Sequence, residues 1–466
     1  MMSTSSKQPD TASKGKTGEA TGSVILIAFI TSIGGFLFGF DNGSISSSIG
    51  FLTTKFHLSA AGTGWVTSCI TVGCIIGVIF AGRLSDLFGR KKVLVAVAAL
   101  FIIGATGEAI APNVVFLVVA RMMVGFGIGL ETTVAPLYIG EVSPARIRGR
   151  LVSFNQLFNV IGNLVIFSVS AAVISMHAEA WNVQYSWRTI FIIGIIPALI
   201  LIVCLRFIPE SPRWLIQQGR TEDARKAIGR IFTDEKAVDE EMERINVVIA
   251  SEEKPKISEI FAPRMRRRLL IVTGVPFFMQ LTGITAVFYY APEIFKTAGF
   301  GSNAAVQSTV LVGVAMVAGT LLSVWIIDKV GRRPLLLFGS VGMAILLGLI
   351  AWLFTVAHPN GPLLIALLLA YVIVWSVSFG TVSYVLPGEM YPTRIRGLGQ
   401  SANTFSQWIF TFLVAQLFPI LVDKYGSMVT FAGLAVFSVL AFFFCYVLVP
   451  ETKQKPLEQL ELELSK

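Results

Sequence analysis

The sequence is poor in charge, in cysteine and in histidine, and each shortage removes a class of function. Asp, Glu, Lys and Arg supply 14% of the 466 residues, against about 25% in a typical soluble domain. Hydrophobic residues reach 54%. A water-soluble fold could not hide that much apolar side chain. A bilayer can, because its hydrocarbon core solvates the outside of the fold. The four cysteines, Cys69, Cys74, Cys204 and Cys445, lie in apolar runs without the paired spacing of a disulfide framework or metal site. The histidines His57, His177 and His358 fall in short predicted loops, so neither a metal nor a cofactor is expected. No Ser–His pair, carboxylate pair or metal spacing supports an enzyme. The first 22 residues lack an apolar core, so they read as a disordered tail and not as a signal peptide.

What is present is a set of helix-length apolar runs without the alternation of outer-membrane strands. Twelve spans are expected, near 24–45, 60–82, 93–111, 113–137, 149–173, 187–208, 269–293, 305–328, 334–356, 361–388, 398–421 and 428–450. Each is close to or above the ~20 residues that cross a bilayer core. The net charge of +9 sits in short clusters between these runs, which fits orientation in a membrane better than nucleic acid. The basic loops hold Arg83, Arg90, Lys91 and Lys92; Arg146, Arg148 and Arg150; Lys329, Arg332 and Arg333; and Arg394 and Arg396. The intervening loops are nearly free of Lys and Arg. The positive-inside rule therefore places the basic loops, the middle stretch and both termini in the cytoplasm. The middle stretch is strongly charged. Short amphipathic helices are expected over 211–218, 221–232 and 239–250, with Ser211 and Thr221 as N-caps. The organisation expected is a tail (1–22), a six-helix bundle (23–208), linker helices (209–268), a second bundle (269–450) and a tail (451–466).

The chain repeats itself. Gly140-Glu141-Val142-Ser143-Pro144-Ala145-Arg146-Ile147-Arg148-Gly149 matches Gly388-Glu389-Met390-Tyr391-Pro392-Thr393-Arg394-Ile395-Arg396-Gly397. Asp86-Leu87-Phe88-Gly89-Arg90-Lys91 matches Asp328-Lys329-Val330-Gly331-Arg332-Arg333, and Pro209-Glu210-Ser211 matches Pro450-Glu451-Thr452. The offsets, 389 − 141 = 248, 328 − 86 = 242 and 450 − 209 = 241, nearly agree. Such a duplication suits a carrier, in which two halves rock about a central site.

With Pro209-Glu210-Ser211-Pro212-Arg213-Trp214-Leu215, Gln280-Leu281-Thr282-Gly283-Ile284, Tyr289-Tyr290-Ala291-Pro292 and Pro450-Glu451-Thr452-Lys453, these motifs give a resemblance. From about Val24 to Leu462 the chain resembles the sugar porters of the major facilitator superfamily. The ordered set is specific for the family and not for one sugar. The resemblance implies an all-α integral membrane fold of twelve transmembrane helices in two pseudo-symmetric bundles. It implies a carrier of a small sugar or polyol in the cell membrane, working as a monomer by alternating access, with protons as a second substrate. A passive uniporter and a nutrient-sensing homologue are the alternatives.

Charges inside spans are costly, by about 2.5–3.5 kcal/mol on the gentlest scale. Asp41 in the first span and Arg121 in the fourth are therefore expected to pair. In proton-coupled members of the family a carboxylate at the first position titrates. Two readings stand, a proton carrier tuned by Arg121 and a static ion pair. Glu108 and Glu131 also fall in or near spans, and Glu131 departs from the family pattern. The resemblance assigns sugar contacts to Gln156, Asn163, Gln280, Thr285, Tyr384, Gln407 and Trp408, with Tyr289 and Tyr290 closing over the site. For the amides, a helix–helix hydrogen bond is the competing reading. Met279, Thr285 and Met316 replace polar residues common in the family, which puts D-glucose specificity in doubt. Asp86, Arg90, Glu141, Arg146, Glu210, Arg213, Asp328, Arg332, Glu389, Arg394 and Glu451 form a cytoplasmic charge set. The family uses such a set for gating, while topology alone would also require the basic residues.

Overall fold

A computed structural model describes residues 21–144, 147–232, 234–251, 257–356, 359–392 and 395–453. Both predicted tails, except 21–22 and 451–453, lie outside these residues, as do Arg146, Arg394 and His358. The described residues are helical, with no β-strand. The first bundle holds α1 (Thr21–Phe56), α2 (Ala60–Phe88), α3 (Arg90–Ile110), α4 (Val114–Val142) and α5 (Arg148–Ser175). Its sixth span is built from α6 (Glu179–Trp181), a π-turn, α7 (Trp187–Ile193) and α8 (Ile195–Leu205). The linker carries α9 (Pro212–Gln217), α10 (Thr221–Ile228) and α11 (Glu235–Ser251). The second bundle holds α12 (Arg266–Leu281), α13 (Ile284–Thr297), α14 (Ser302–Val330), α15 (Arg332–Leu353), α16 (Gly361–Val377), α17 (Phe379–Met390) and α18 (Arg396–Leu448).

Among the described residues, eleven stretches are long and apolar enough to cross a membrane, against the twelve expected, and the difference lies in α18. Its 53 residues would reach about 80 Å at 1.5 Å per residue, far more than a ~30 Å hydrocarbon core. Gly426, with φ 78°, departs from helical backbone within it and divides it into two spans. Two other spans are broken midway. Thr282 and Gly283 separate α12 from α13, with Gly283 left-handed at φ 98°, and Ser378 separates α16 from α17. Such breaks are tolerated at membrane depth where other protein groups take up the freed backbone. Here the Tyr371 hydroxyl donates to the Thr282 carbonyl at 2.8 Å.

The linker helices form where charge patterning placed them. Ser211 caps α9 by accepting from the Trp214 amide at 3.3 Å. Thr221 does not cap α10. The position before the helix is Arg220, which makes no side-chain cap bond and instead binds Asp223 at 2.6 Å.

The repeated motifs become repeated geometry at the linker end of the bundles. Gly89 (φ 95°) and Gly331 (φ 100°) turn the chain from α2 to α3 and from α14 to α15. The Glu210 carboxylate accepts from the Lys91 amide at 3.0 Å, and the Glu451 carboxylate accepts from the Arg332 amide at 3.1 Å. Both thus satisfy the open N–H groups of a helix start. Arg90 binds Glu141 at 2.9 Å and Arg332 binds Glu389 at 2.7 Å. Ser211 donates to Glu141 at 2.6 Å, and Thr452 donates to Glu389 at 2.5 Å. The Asp86–Arg90 and Asp328–Arg332 pairs, at 3.3 and 3.1 Å, have acids that are 70% and 79% exposed. They contribute little. Arg213 lies in α9.

The halves meet at the opposite, far end. Gln416 on α18 accepts from Ser68 on α2 at 2.9 Å and donates to the Ala61 carbonyl at 3.1 Å. Ser302 donates to Glu179 at 3.1 Å. Nearer the middle, Tyr289 on α13 donates to Asn42 on α1 at 3.1 Å.

Candidate functional site

Two features occupy the middle of the molecule, a charged cluster within the first half and a neutral cavity between the halves. The cluster centres on Arg121, which α4 carries with no exposed surface. Its guanidinium stands 3.7 Å from Asp41 on α1 and 3.3 Å from Glu108 on α3. Its Nε donates to the Val66 carbonyl on α2 at 2.9 Å. Four helices therefore converge on one cation. The predicted Asp41–Arg121 pair is present, but it is the longer of two contacts. Asp41 Oδ2 has no hydrogen-bond partner among the described residues. Glu108 is the acid that sequence reasoning did not connect to Arg121. Its signal was its position near the far end of α3, a span antiparallel to α4.

Two acids and one base make a cluster that is net negative by one if every group is ionised. Burying net charge at bilayer depth is expensive. A small cavity lined by Leu37, Phe40, Asp41, Ser44 and Glu108 adjoins it.

The neutral cavity lies where the halves face each other. Gln156 and Asn159 on α5 and Phe38 and Asn42 on α1 line it from the first half. Met279, Gln280, Ile284, Thr285, Phe288, Tyr289, Met316, Trp375, Tyr384, Gln407, Trp408 and Thr411 line it from the second. The helix break at Thr282–Gly283 brings Gln280 and Thr285 together, and the Thr285 hydroxyl donates to Gln280 at 2.5 Å. Gln407 donates to the Tyr384 hydroxyl at 2.8 Å. Trp408 packs on Phe38 with ring centroids 5.4 Å apart. Amides that donate and accept, set beside flat aromatic and thioether surface, suit a ligand with a hydroxylated edge and an apolar face.

Seven of the nine residues assigned to sugar contact or closure line this cavity: Gln156, Gln280, Thr285, Tyr289, Tyr384, Gln407 and Trp408. Asn163 and Tyr290 do not. Asn163 is turned into the α1–α5 contact and donates to the Asn159 carbonyl at 3.1 Å. Tyr290 donates to the Ala415 carbonyl at 2.7 Å and stacks on Phe418. Adjacent residues on a helix point about 100° apart, so Tyr289 and Tyr290 cannot share one face. Asn42, Phe288, Trp375 and Thr411 line the cavity although the sequence had not assigned them. Among the described residues, no group of three His, Cys, Asp or Glu side chains is arranged to hold a metal ion.

A family model for sugar (and other) transporters matches residues 27–464. The chain belongs to that family. It is 38% identical over 440 residues to the arabinose-proton symporter of Bacillus subtilis, covering 94% of this chain and 95% of the relative. It is 33% identical to the major myo-inositol transporter IolT of the same organism, covering 96% and 95%. The xylose transporter XylE from E. coli, in a partially occluded inward-open conformation, superposes with a TM-score of 0.83 at 30% identity, covering 94% and 100%. The proton:xylose symporter XylE bound to 6-bromo-6-deoxy-D-glucose gives 0.78 at 31% identity, covering 95% and 99%. The chain is thus a multi-pass membrane transporter with the major facilitator fold, and not an enzyme.

Proposed function

We propose that the protein is a proton-coupled symporter of a monosaccharide, working by alternating access with the basic loops and the linker in the cytoplasm. The carrying observation is the placement of a titratable cluster, Asp41–Arg121–Glu108, beside a neutral cavity built for hydroxyls. The two bundles are hydrogen-bonded at the far end, and the likeness to an inward-open relative is the stronger of the two reported. Both support reading this conformation as inward-facing.

Sugar enters from outside when the Tyr289–Asn42 and Gln416–Ser68 bonds are open. The proton binds Asp41, the acid whose contact with Arg121 is the longer, and neutralises the cluster. α1 then packs against the second half without a buried net charge. When the halves part at the linker end, water reaches the acid, Arg121 draws it back to the ionised form, and proton and sugar leave. The linker-end pairs around Glu141 and Glu389 brace each half as a rigid body during this motion.

A cyclic polyol is the second reading, favoured by the 33% identity to a myo-inositol transporter. The test is uptake by proteoliposomes of labelled hexoses, pentoses and inositol, with and without an inward proton gradient. Accumulation above equilibrium that needs the gradient, for one or more monosaccharides, supports the reading. Accumulation of inositol alone moves the protein to the polyol class. Equilibration that ignores the gradient makes it a uniporter.

A further inference from the structure

We propose that Glu131 is a second proton-carrying carboxylate, through which the proton passes from Asp41 to water at the linker end. The inference rests on the symport reading above. Glu131 has no exposed surface. Asn155 on α5 donates to its Oε1 at 2.7 Å, and its Oε2 has no hydrogen-bond partner. Its stem presses on α1: a Cβ at Gly34 would stand 2.6 Å from Glu131 Cγ. Gly34 and Asp41 are seven residues apart, which places them on one face of α1 about 10 Å apart along its axis. On α4, Arg121 and Glu131 follow in the same order. One α1–α4 seam therefore holds Asp41 near its middle and Glu131 on the linker side, with half-buried Asn155 beyond it.

Among the described residues, no cation forms a salt bridge with Glu131. Asp41 of α1 and Arg121 of α4 lie two to three turns toward the far end. Arg83 and Asp86 of α2 and Arg150 of α5 are exposed at the linker end. On α3, Arg90 is committed to Glu141 and Glu108 to Arg121. None of these forms a salt bridge with Glu131 among the described residues. An ionised carboxyl beside one neutral amide is costly at this depth. Taking up a proton removes that cost, and contact with water restores the charge. When the linker-end mouth opens, the proton leaves the Asp41 carboxyl, protonates the Glu131 carboxylate through a short chain of waters, and is lost to bulk water. Asp41 ends ionised, as it was before it took up the proton from outside, and Glu131, ionised by water when the mouth opened, ends ionised again.

The test compares wild type with Glu131→Gln in proteoliposomes. The amide can still accept from Asn155, so a merely structural role survives the change. The expected result is at least a ~10-fold loss of gradient-driven accumulation while labelled sugar still exchanges across the membrane. Accumulation equal to wild type overturns the inference and leaves the symport reading intact. Wild type that ignores the gradient removes both. If Glu131→Gln does not fold, a hydrophobic carbodiimide on the wild-type protein decides, because it modifies buried protonated carboxyls. Modification at Glu131 that fades as pH rises is expected. None at Glu131 at any pH, where Asp41 is modified, overturns the inference.

Discussion

The two halves of the chain are alike at their linker end and unlike in the middle. At the linker end Glu210 and Glu451 cap equivalent helix starts, and Arg90–Glu141 has its counterpart in Arg332–Glu389. In the middle, the first half buries Asp41, Glu108, Arg121 and Glu131, whereas the second half turns neutral Gln280, Thr285, Tyr384 and Gln407 to the cavity. The duplication is kept at the linker end and lost in the middle, where the proposed symport would divide the work between the halves. One half holds groups that can bind a proton, and the other holds most of the groups that can bind a hydroxylated ligand.

The comparison breaks most severely at Arg121. Arg121→Ala leaves two buried acids without their cation, and losing one partner of a buried pair costs about 3–5 kcal/mol. Little monodisperse protein is expected in size-exclusion chromatography. The triple variant that also carries Asp41→Asn and Glu108→Gln should recover it, because the orphaned charges are gone. A helix contact of the same half comes next. A Cβ at Gly39 would lie 1.8 Å from the Asn159 backbone oxygen, so Gly39→Ala forces α1 away from α5. Thermal unfolding followed by fluorescence should show a marked loss of stability, larger than for alanine at Gly140, which has open space around it.

Changes in the second half should act on the ligand and spare the fold. Gln280→Ala removes the acceptor of the Thr285 hydroxyl and a cavity amide, worth about 1–3 kcal/mol. A rise of roughly 10-fold in the KM for uptake is expected, with the dependence on proton gradient unchanged. The smallest effect is the sharpest check on the duplication. Glu210→Gln and Glu451→Gln each weaken one helix-start cap, at about 0.5–2 kcal/mol, and should lower the Tm by similar amounts. A strongly unequal pair would show that the halves are not equivalent at the linker end.

Hydropathy made the membrane spans legible, because crossing a bilayer demands a run of apolar residues whatever the tertiary packing. The linker-end geometry was legible because both copies of each motif survive. Interior pairings were less so. Asp41 and Arg121 could be matched as opposite charges in neighbouring spans, but Glu108 needed the relative register of α3 and α4. Asn163 and Tyr290 were misplaced because residue type does not fix which way a helix is turned. The breaks at Gly283 and Ser378 depend on tertiary contacts, so spans drawn from apolar runs passed over them, whereas the gap expected between 421 and 428 holds the break at Gly426. Thr221 has the residue type of a cap, yet Arg220 takes the position before the helix and binds Asp223 instead.

The division of labour is tested most directly by Asp41→Asn in proteoliposomes with an inward proton gradient. The account predicts that this variant still exchanges labelled sugar but no longer accumulates it above equilibrium. Accumulation by Asp41→Asn equal to wild type would contradict the account and leave Asp41–Arg121 as a packing contact.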